Sequence, residues 1–146
     1  MKVIRQAESL DLEKLESFLT AAGLSTEGVK ESIDYFLLIE NEQGKIFGTM
    51  GIEPFETSGL LRSLVVVKEM GEEGLLTLFQ QMFKLAKERG LSTLYLATNK
   101  PSSLSFLAWM GFSQVDKSDL PPEIGESAHG SELLTNAQST FMKLSL

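Results

Sequence analysis

The stretch "VVVKEMGEEGLL", residues 65–76, constrains this chain more than any other. A β-branched run ends at Val67, glycines follow at 71 and 74, and Leu75, Leu76, Leu78 and Phe79 open a helical pattern. Strand, glycine-containing loop and helix is the arrangement that presents backbone N–H groups to a phosphate. Yet the loop carries Glu69, Glu72 and Glu73 against Lys68 alone. A helix start offers unsatisfied N–H groups and roughly half a unit of positive charge, which also favours glutamate in the first turn of any helix. The loop by itself therefore reads equally as a well-stabilised helix N-terminus with its carboxylates in water.

The elements around the loop narrow the choice. "KVIR" reads as a first strand, and Leu12, Leu15, Phe18, Leu19 and Ala22 form one helical stripe closed by Gly23. "TEGVKESI" predicts a shorter helix, capped by Ser25 or Thr26. "YFLLIE", "NEQG" and "KIFGTMGIEPF" read as strand, turn and strand. "GLLRSLVVV" is apolar enough for a strand buried on both faces, with Arg62 and Ser63 as its polar interruption. The helix after the loop repeats Leu75, Leu78, Phe79, Met82, Phe83 and Ala86, and it stops at Gly90. A strand in "STLYLAT", a short helix in "SSLSFLAWMG" and a strand in "FSQVD" follow. "KSDLPPEIGESAHGSELLTNA" reads as turns with one helical turn after Pro121, and "QSTFMKL" closes as a strand. A meander followed by a strand–helix–strand crossover predicts a mixed α/β fold, its sheet part antiparallel and part parallel.

Composition excludes several function classes. The 146 residues predict one domain, 1–146, able to bury a core without staples. There is no cysteine and one histidine, His129, which rules out thiolate catalysis and a Cys/His metal site; no metal is expected. The formal net charge of −7, with no basic face, argues against nucleic acid and is compatible with a small amine-bearing substrate. With neither an apolar h-region nor a membrane-length run, the expected location is cytoplasmic, without a membrane partner.

The element order and the "LRSLVV…GEEG…LYLAT…FLAWMGF" signposts resemble the GCN5-related N-acetyltransferase (GNAT) superfamily over essentially the whole chain. "LLRSLVV", "LYLAT" and "PPEIGES" look most like its arsenic-resistance-associated N-acetyltransferase branch. The resemblance implies a single, partly splayed β-sheet with helices on both faces and a cleft between "GLLRSLVVV" and "STLYLAT". Acetyl-CoA would enter that cleft as co-substrate. Leu64, Val65 and Val66 would supply strand contacts; Met70, Gly71, Glu72, Glu73, Gly74 and Leu75 would form the pyrophosphate loop. Asn99, together with Ser102, would meet the pantetheine arm, although either residue could equally cap the following helix. The family's loop pattern, Arg/Gln-x-x-Gly-x-Gly/Ala, is not matched, since Met70, Glu73 and Leu75 occupy its defining positions. The family's tyrosine acid corresponds to Leu107, and a glutamate near the start of its splayed strand corresponds to Leu60.

The implied activity is acyl-CoA-dependent N-acetyl transfer to a small amine, amino-acid-like acceptors included. Arg62 could grip a carboxylate, its alternative being a snorkelling or surface-paired arginine. Glu53 and Ser63 are the other catalytic candidates, holding an ammonium or a proton-accepting water; Glu56 could share that role. His129, in a polar loop, could serve as a base because an unperturbed imidazole titrates near neutral pH, but it reads first as an exposed, idle histidine. Trp109, Phe106 and Phe112 read as core or pocket-wall aromatics. A second reading is a non-catalytic GNAT-fold module that binds a metabolite or a partner protein. A third is assembly through the last strands into a homodimer, with the fold serving structure only.

Overall fold

The computed structural model describes residues 1–146. Seven strands form one sheet: β1 (Val3–Gln6), β2 (Phe36–Glu40), β3 (Ile46–Phe55), β4 (Ser58–Val66), β5 (Thr93–Thr98), β6 (Ser113–Val115) and β7 (Thr140–Ser145). Their spatial order is β1-β2-β3-β4-β5-β7-β6. Only β4 and β5 run parallel. The helices are α1 (Leu12–Ala21), α2 (Gly71–Glu88), α3 (Leu104–Trp109), α4 (Pro122–Glu126) and α5 (Ala128–Thr135).

The period of two along each strand divides the core between the two faces. Leu37, Ile39, Leu61, Leu94 and Leu96 point to one face, where they meet Leu78, Phe79 and Met82 of α2. Phe36 and Leu38 point to the other and bury Leu15 and Leu19 of α1. Further along that second face, Leu60 and Tyr95 pack on Ile124 of α4. The expected mixed sheet with helices on both faces is the fold observed.

Two expectations about helices do not hold. Residues 27–32 form turns rather than a helix, because Gly28 sits at φ +80°. Ser25 Oγ accepts from Glu27 N–H in a local turn instead of capping a helix. Conversely, the segment after Asp119 holds two helices, α4 and α5, where turns with a single helical turn were expected. Pro122 starts α4 at a position where a missing N–H costs nothing, and Ser127 Oγ accepts from Gly130 N–H to cap α5. Gly130 is also the point of closest approach: a Cβ there would collide with the Ile124 carbonyl oxygen. Alternating turn residues thus serve a tight helical hairpin.

An ion cluster fastens α1 to the sheet edge. Arg5 on β1 donates to Asp11 Oδ1 at 2.7 Å and Oδ2 at 2.8 Å, while Lys14 bonds Glu40 at 3.1 Å. Asp11 Oδ2 also accepts from Glu8 N–H at 2.7 Å, so one carboxylate serves both helix start and ion cluster. The hydrogen bonds from Arg5 outweigh burial and hold the Asp11 carboxyl at about 2; the same arginine lowers that of Glu40. Because the folded value lies below the unfolded one, this stabilisation is complete above about pH 4 and is lost as pH falls toward about 2. Asp11→Asn is expected to cost about 2 kcal/mol at neutral pH and to flatten the acid limb of the stability curve. Urea melts across that pH range give the measurement; parallel acid limbs in parent and variant would exclude the role.

Candidate active site

β4 leaves β5 after three residue pairs, Ser58–Thr93, Gly59–Leu94 and Leu60–Tyr95. Both strands continue, but each is committed to its outer neighbour. β5 stays with β7 as far as Thr98–Thr140, and β4 stays with β3 as far as Val66–Gly48. The expected splay therefore lies where the sequence places it, toward the C-terminal end of β4.

A bulge in β4 shapes this divergence. Thr49 pairs with Val65 and Gly51 with Arg62, so Ser63 and Leu64 together oppose Met50. Ser63 absorbs the extra residue at φ 58°, a left-handed conformation uncommon outside glycine and asparagine. Beyond the bulge, Val67 N–H bonds Phe47 O on β3. Alternation along an extended strand then turns the Val66 N–H toward the open edge.

The gap is a cleft of about 430 Å³, walled by Leu61, Leu64, Leu96, Phe106 and Leu107 among others, with Arg62, Ser63, Glu72, Leu75 and Ser102 also lining it. At one end α2 begins after a short 3-10 turn, Lys68–Met70, and no side chain caps that start. Glu72 and Glu73 are both exposed but part company. Glu72 lines the cleft, whereas Met70, Glu73 and Gly74 line a separate groove against β1. Adjacent helical positions point about 100° apart, and the two carboxylates accordingly border different hollows.

At the other end lies a cluster of charge. Arg62 is only 5% exposed, which removes the snorkelling alternative. Its Nε donates to Ser63 Oγ at 3.1 Å and its Nη2 to the Ser25 carbonyl at 3.4 Å. Burial lowers its pKa, partly offset by Glu53 and Glu27. No carboxylate oxygen stands within salt-bridge distance of it, and Glu53 Oε1 is buried without a hydrogen-bond partner. Gly28 explains how the arginine fits: a Cβ there would stand 3.2 Å from Arg62 Nη1 and 3.9 Å from Glu53 Oε2. A buried cation without a carboxylate partner is costly, and Arg62 lines the cleft, where an anionic ligand would satisfy it.

For one residue the structure reverses the reading that the sequence favours, an exposed and idle histidine. His129 lines the cleft from the first turn of α5, its pKa lowered by burial and then by Arg62, with Glu53 and Glu132 acting the other way. Its placement depends on the α4–α5 hairpin, which polar composition disguises as turns. Other expected residues stand apart. Glu56 is exposed in the β3–β4 turn, and Asn99 is exposed; neither Asn99 nor Ser102 caps α3. Trp109 is 70% exposed and stacks on Phe106, so it is neither core nor wall.

No protein-family model matches the chain. The uncharacterized protein YwlB of Bacillus subtilis (strain 168) is 38% identical over 141 residues, which span 96% of this chain and 95% of YwlB. The chain belongs to the YwlB family. Solved structures give it the GNAT fold. An acetyltransferase of the GNAT family from Staphylococcus aureus Mu50 aligns with a TM-score of 0.75 at 20% identity, covering 100% of this chain and 99% of its own. Rv2747 of Mycobacterium tuberculosis, solved in complex with CoA and a second ligand, aligns at 0.75 and 17%, covering 99% of both chains. N-acetylglutamate synthase of Neisseria gonorrhoeae, complexed with coenzyme A and N-acetyl-glutamate, aligns at 0.75 and 22% over 100% of this chain. This YwlB relative spans about a third of that longer enzyme, 35%. None of these likenesses singles out the arsenic-resistance branch.

The bulge gives a direct test of the geometry. Ser63→Val should cost about 1–2 kcal/mol, because a β-branched side chain resists the left-handed conformation, while Ser63→Gly should be close to neutral. Denaturant melts of the two variants measure the difference. Equal stability would mean that β4 is not bulged at this residue.

Proposed function

We propose that this protein is an acyl-CoA-dependent N-acetyltransferase that transfers acetyl directly from acetyl-CoA to a small amine. The observation that carries the reading is the divergence of β4 from β5, with an open strand edge at Val66 leading to the uncapped start of α2. An acyl-CoA has matching parts: an amide-bearing arm suited to a strand edge, and a pyrophosphate suited to helix N–H groups. Coenzyme A in the complexes of two structural neighbours supports the same ligand class.

On this reading Leu64, Val65 and Val66 supply the strand contacts, and the Val66 N–H polarises the thioester carbonyl as an oxyanion donor would. The amides of residues 70–75 hold the pyrophosphate; of their side chains, Glu72 and Leu75 border the cleft. Ser102 borders the arm. The amine attacks the thioester directly, and the chain has no cysteine to form a covalent enzyme intermediate. A thiol pKa of about 8.5 makes thiolate a fair leaving group, so Leu107 in the cleft wall is no obstacle. Arg62 faces the acceptor, with Glu53 near it outside the cleft lining. The guanidinium fork suits a carboxylate, which favours amino-acid-like amines, and N-acetyl-glutamate in a neighbour's complex is of that kind.

Calorimetric titration of acetyl-CoA, followed by thiol release in the presence of amines, tests the reading. Binding with amine-dependent thiol release is expected; no heat at millimolar acetyl-CoA would leave the protein a GNAT-fold binding module without this donor. The two glutamates sharpen the test. A carboxylate about 6 Å from a phosphate charge costs roughly 0.7 kcal/mol in water. Glu72→Gln should therefore tighten acetyl-CoA binding about threefold, while Glu73→Gln should leave it nearly unchanged. Equal effects at the two positions would place the phosphate elsewhere.

The acceptor side has its own test. Arg62→Lys should raise KM for amines bearing a carboxylate far more than for simple amines, because a point charge does not reproduce the bidentate fork. Equal loss for both classes would remove the carboxylate-binding role.

A further inference from the structure

We propose that His129 is the proton acceptor for the attacking amine, delivered to the cleft by the α4–α5 hairpin. The assignment rests on the acyltransferase reading above and adds the residue that the reading lacks. Arg62, Glu72 and His129 are the only ionisable side chains lining the cleft. Arg62 is permanently protonated and cannot accept a proton. Glu72 is an exposed residue of the first turn of α2, at the end that faces the donor's phosphates. Glu53 stands near Arg62 but does not line the cleft, and its Oε1 is buried. That leaves His129, at the end where Arg62 marks the acceptor.

The hairpin holds the imidazole there firmly. Ser127 caps α5 two residues before His129, and Gly130 just after it packs against the Ile124 carbonyl. Ile124 is fully buried against Leu60 and Tyr95, which ties the hairpin to β4 and β5. One helical turn on, at i+4, Leu133 lines the same cleft, so His129 and Leu133 share the inward face of α5. The charged groups that act on the ring come from three elements: Arg62 on β4, Glu53 on β3 and Glu132 on α5 itself. Burial and Arg62 favour the neutral ring, the form a base must have.

The step balances without any further reactant. The amine nitrogen bonds to the thioester carbonyl carbon, and an N–H proton passes to the unprotonated ring nitrogen of His129. The carbon–sulfur bond breaks and sulfur leaves as thiolate. The imidazolium, disfavoured beside Arg62, returns its proton to the thiolate through water. The products are an amide and a free thiol, and His129 is neutral again.

Because the chain has one histidine, its imidazole proton resonances report this residue alone. In a pH titration by NMR the ring should titrate below the usual value of about 6.5, and lower still in Glu53→Gln, which removes a neighbouring negative charge. In the wild type, kcat/KM for the amine should rise with pH through that same value. In His129→Asn this limb should vanish and kcat should fall about 100-fold or more, with acetyl-CoA affinity retained. His129→Gln should behave alike, and free imidazole should restore turnover to His129→Ala. Ser127 rather than His129 caps α5, so these variants are expected to fold, which circular dichroism checks. A ring that titrates at its ordinary value and ignores Glu53→Gln overturns the assignment. So does acetyl transfer that keeps its rate and pH profile in His129→Asn, while leaving the acyltransferase reading intact. A wild-type protein that acetylates no amine brings down both.

Discussion

Everything distinctive in this structure depends on the divergence of β4 from β5, each of which keeps its outer partner while its inner edge is left open. A parallel pair in the middle of a sheet ordinarily runs its full length. Here β3 takes β4 and β7 takes β5, and the two central strands share only the Ser58–Leu60 register. A solid sheet is traded for a gap, whose exposed backbone donors and acceptors must find water or a ligand. The gap would collapse if side chains from either face could fill it. They cannot, because α2 and α3 approach its rims with Leu75, Phe79, Phe106 and Leu107 while α5 closes the opposite side. Residues of α2, α3 and α5 thus border a cleft that stays open to solvent.

Much of this was legible in the chain. The continuous apolar runs of "YFLLIE" and "GLLRSLVVV" and the 3.6-residue period after Gly74 are strong signals of buried strands and a half-buried helix. What could not be read is where charged side chains end up. Arg62 interrupts an apolar strand, and an interruption of that kind is satisfied equally well by an exposed edge or by a buried cluster. The deciding facts lie far away in sequence: Gly28, whose lack of a Cβ admits the guanidinium, and the carbonyl of Ser25. The same glycine misled the reading of its own segment, because "TEGVKESI" has helix-compatible composition but turns at a left-handed Gly28.

The hairpin of α4 and α5 shows a different limit. Its prolines, glycines and serines are turn residues by local propensity, yet each serves a helix: Pro122 as first residue, Ser127 as cap, Gly130 as contact point. Propensity is a weak prior that tertiary contact overrides, here through Ile124 buried on Leu60 and Tyr95. Misreading the hairpin tipped the choice for His129 toward an idle residue, because a histidine in a turn is solvated while one on the inward face of a packed helix is not. The residue type was visible; its environment was not.

The acidic loop resolves along similar lines. Two adjacent glutamates look, in one dimension, like a doubled obstacle to an anion. Wound into the first turn of α2 they separate, Glu72 to the cleft and Glu73 to the groove beside β1. The helix start keeps its positive potential toward the cleft, opposed by one exposed carboxylate rather than two. At the far end, the buried Arg62 sets a second positive centre against a chain of net charge −7. The cleft thus has hydrogen-bond donors at both ends, the α2 amides and the Arg62 fork, and an apolar middle of Leu61, Leu96 and Leu107. This placement of donors suits a molecule that carries an acceptor group at each end. It also explains why an acidic protein need not repel such ligands, since burial and helix geometry, rather than net charge, set the field where they would bind.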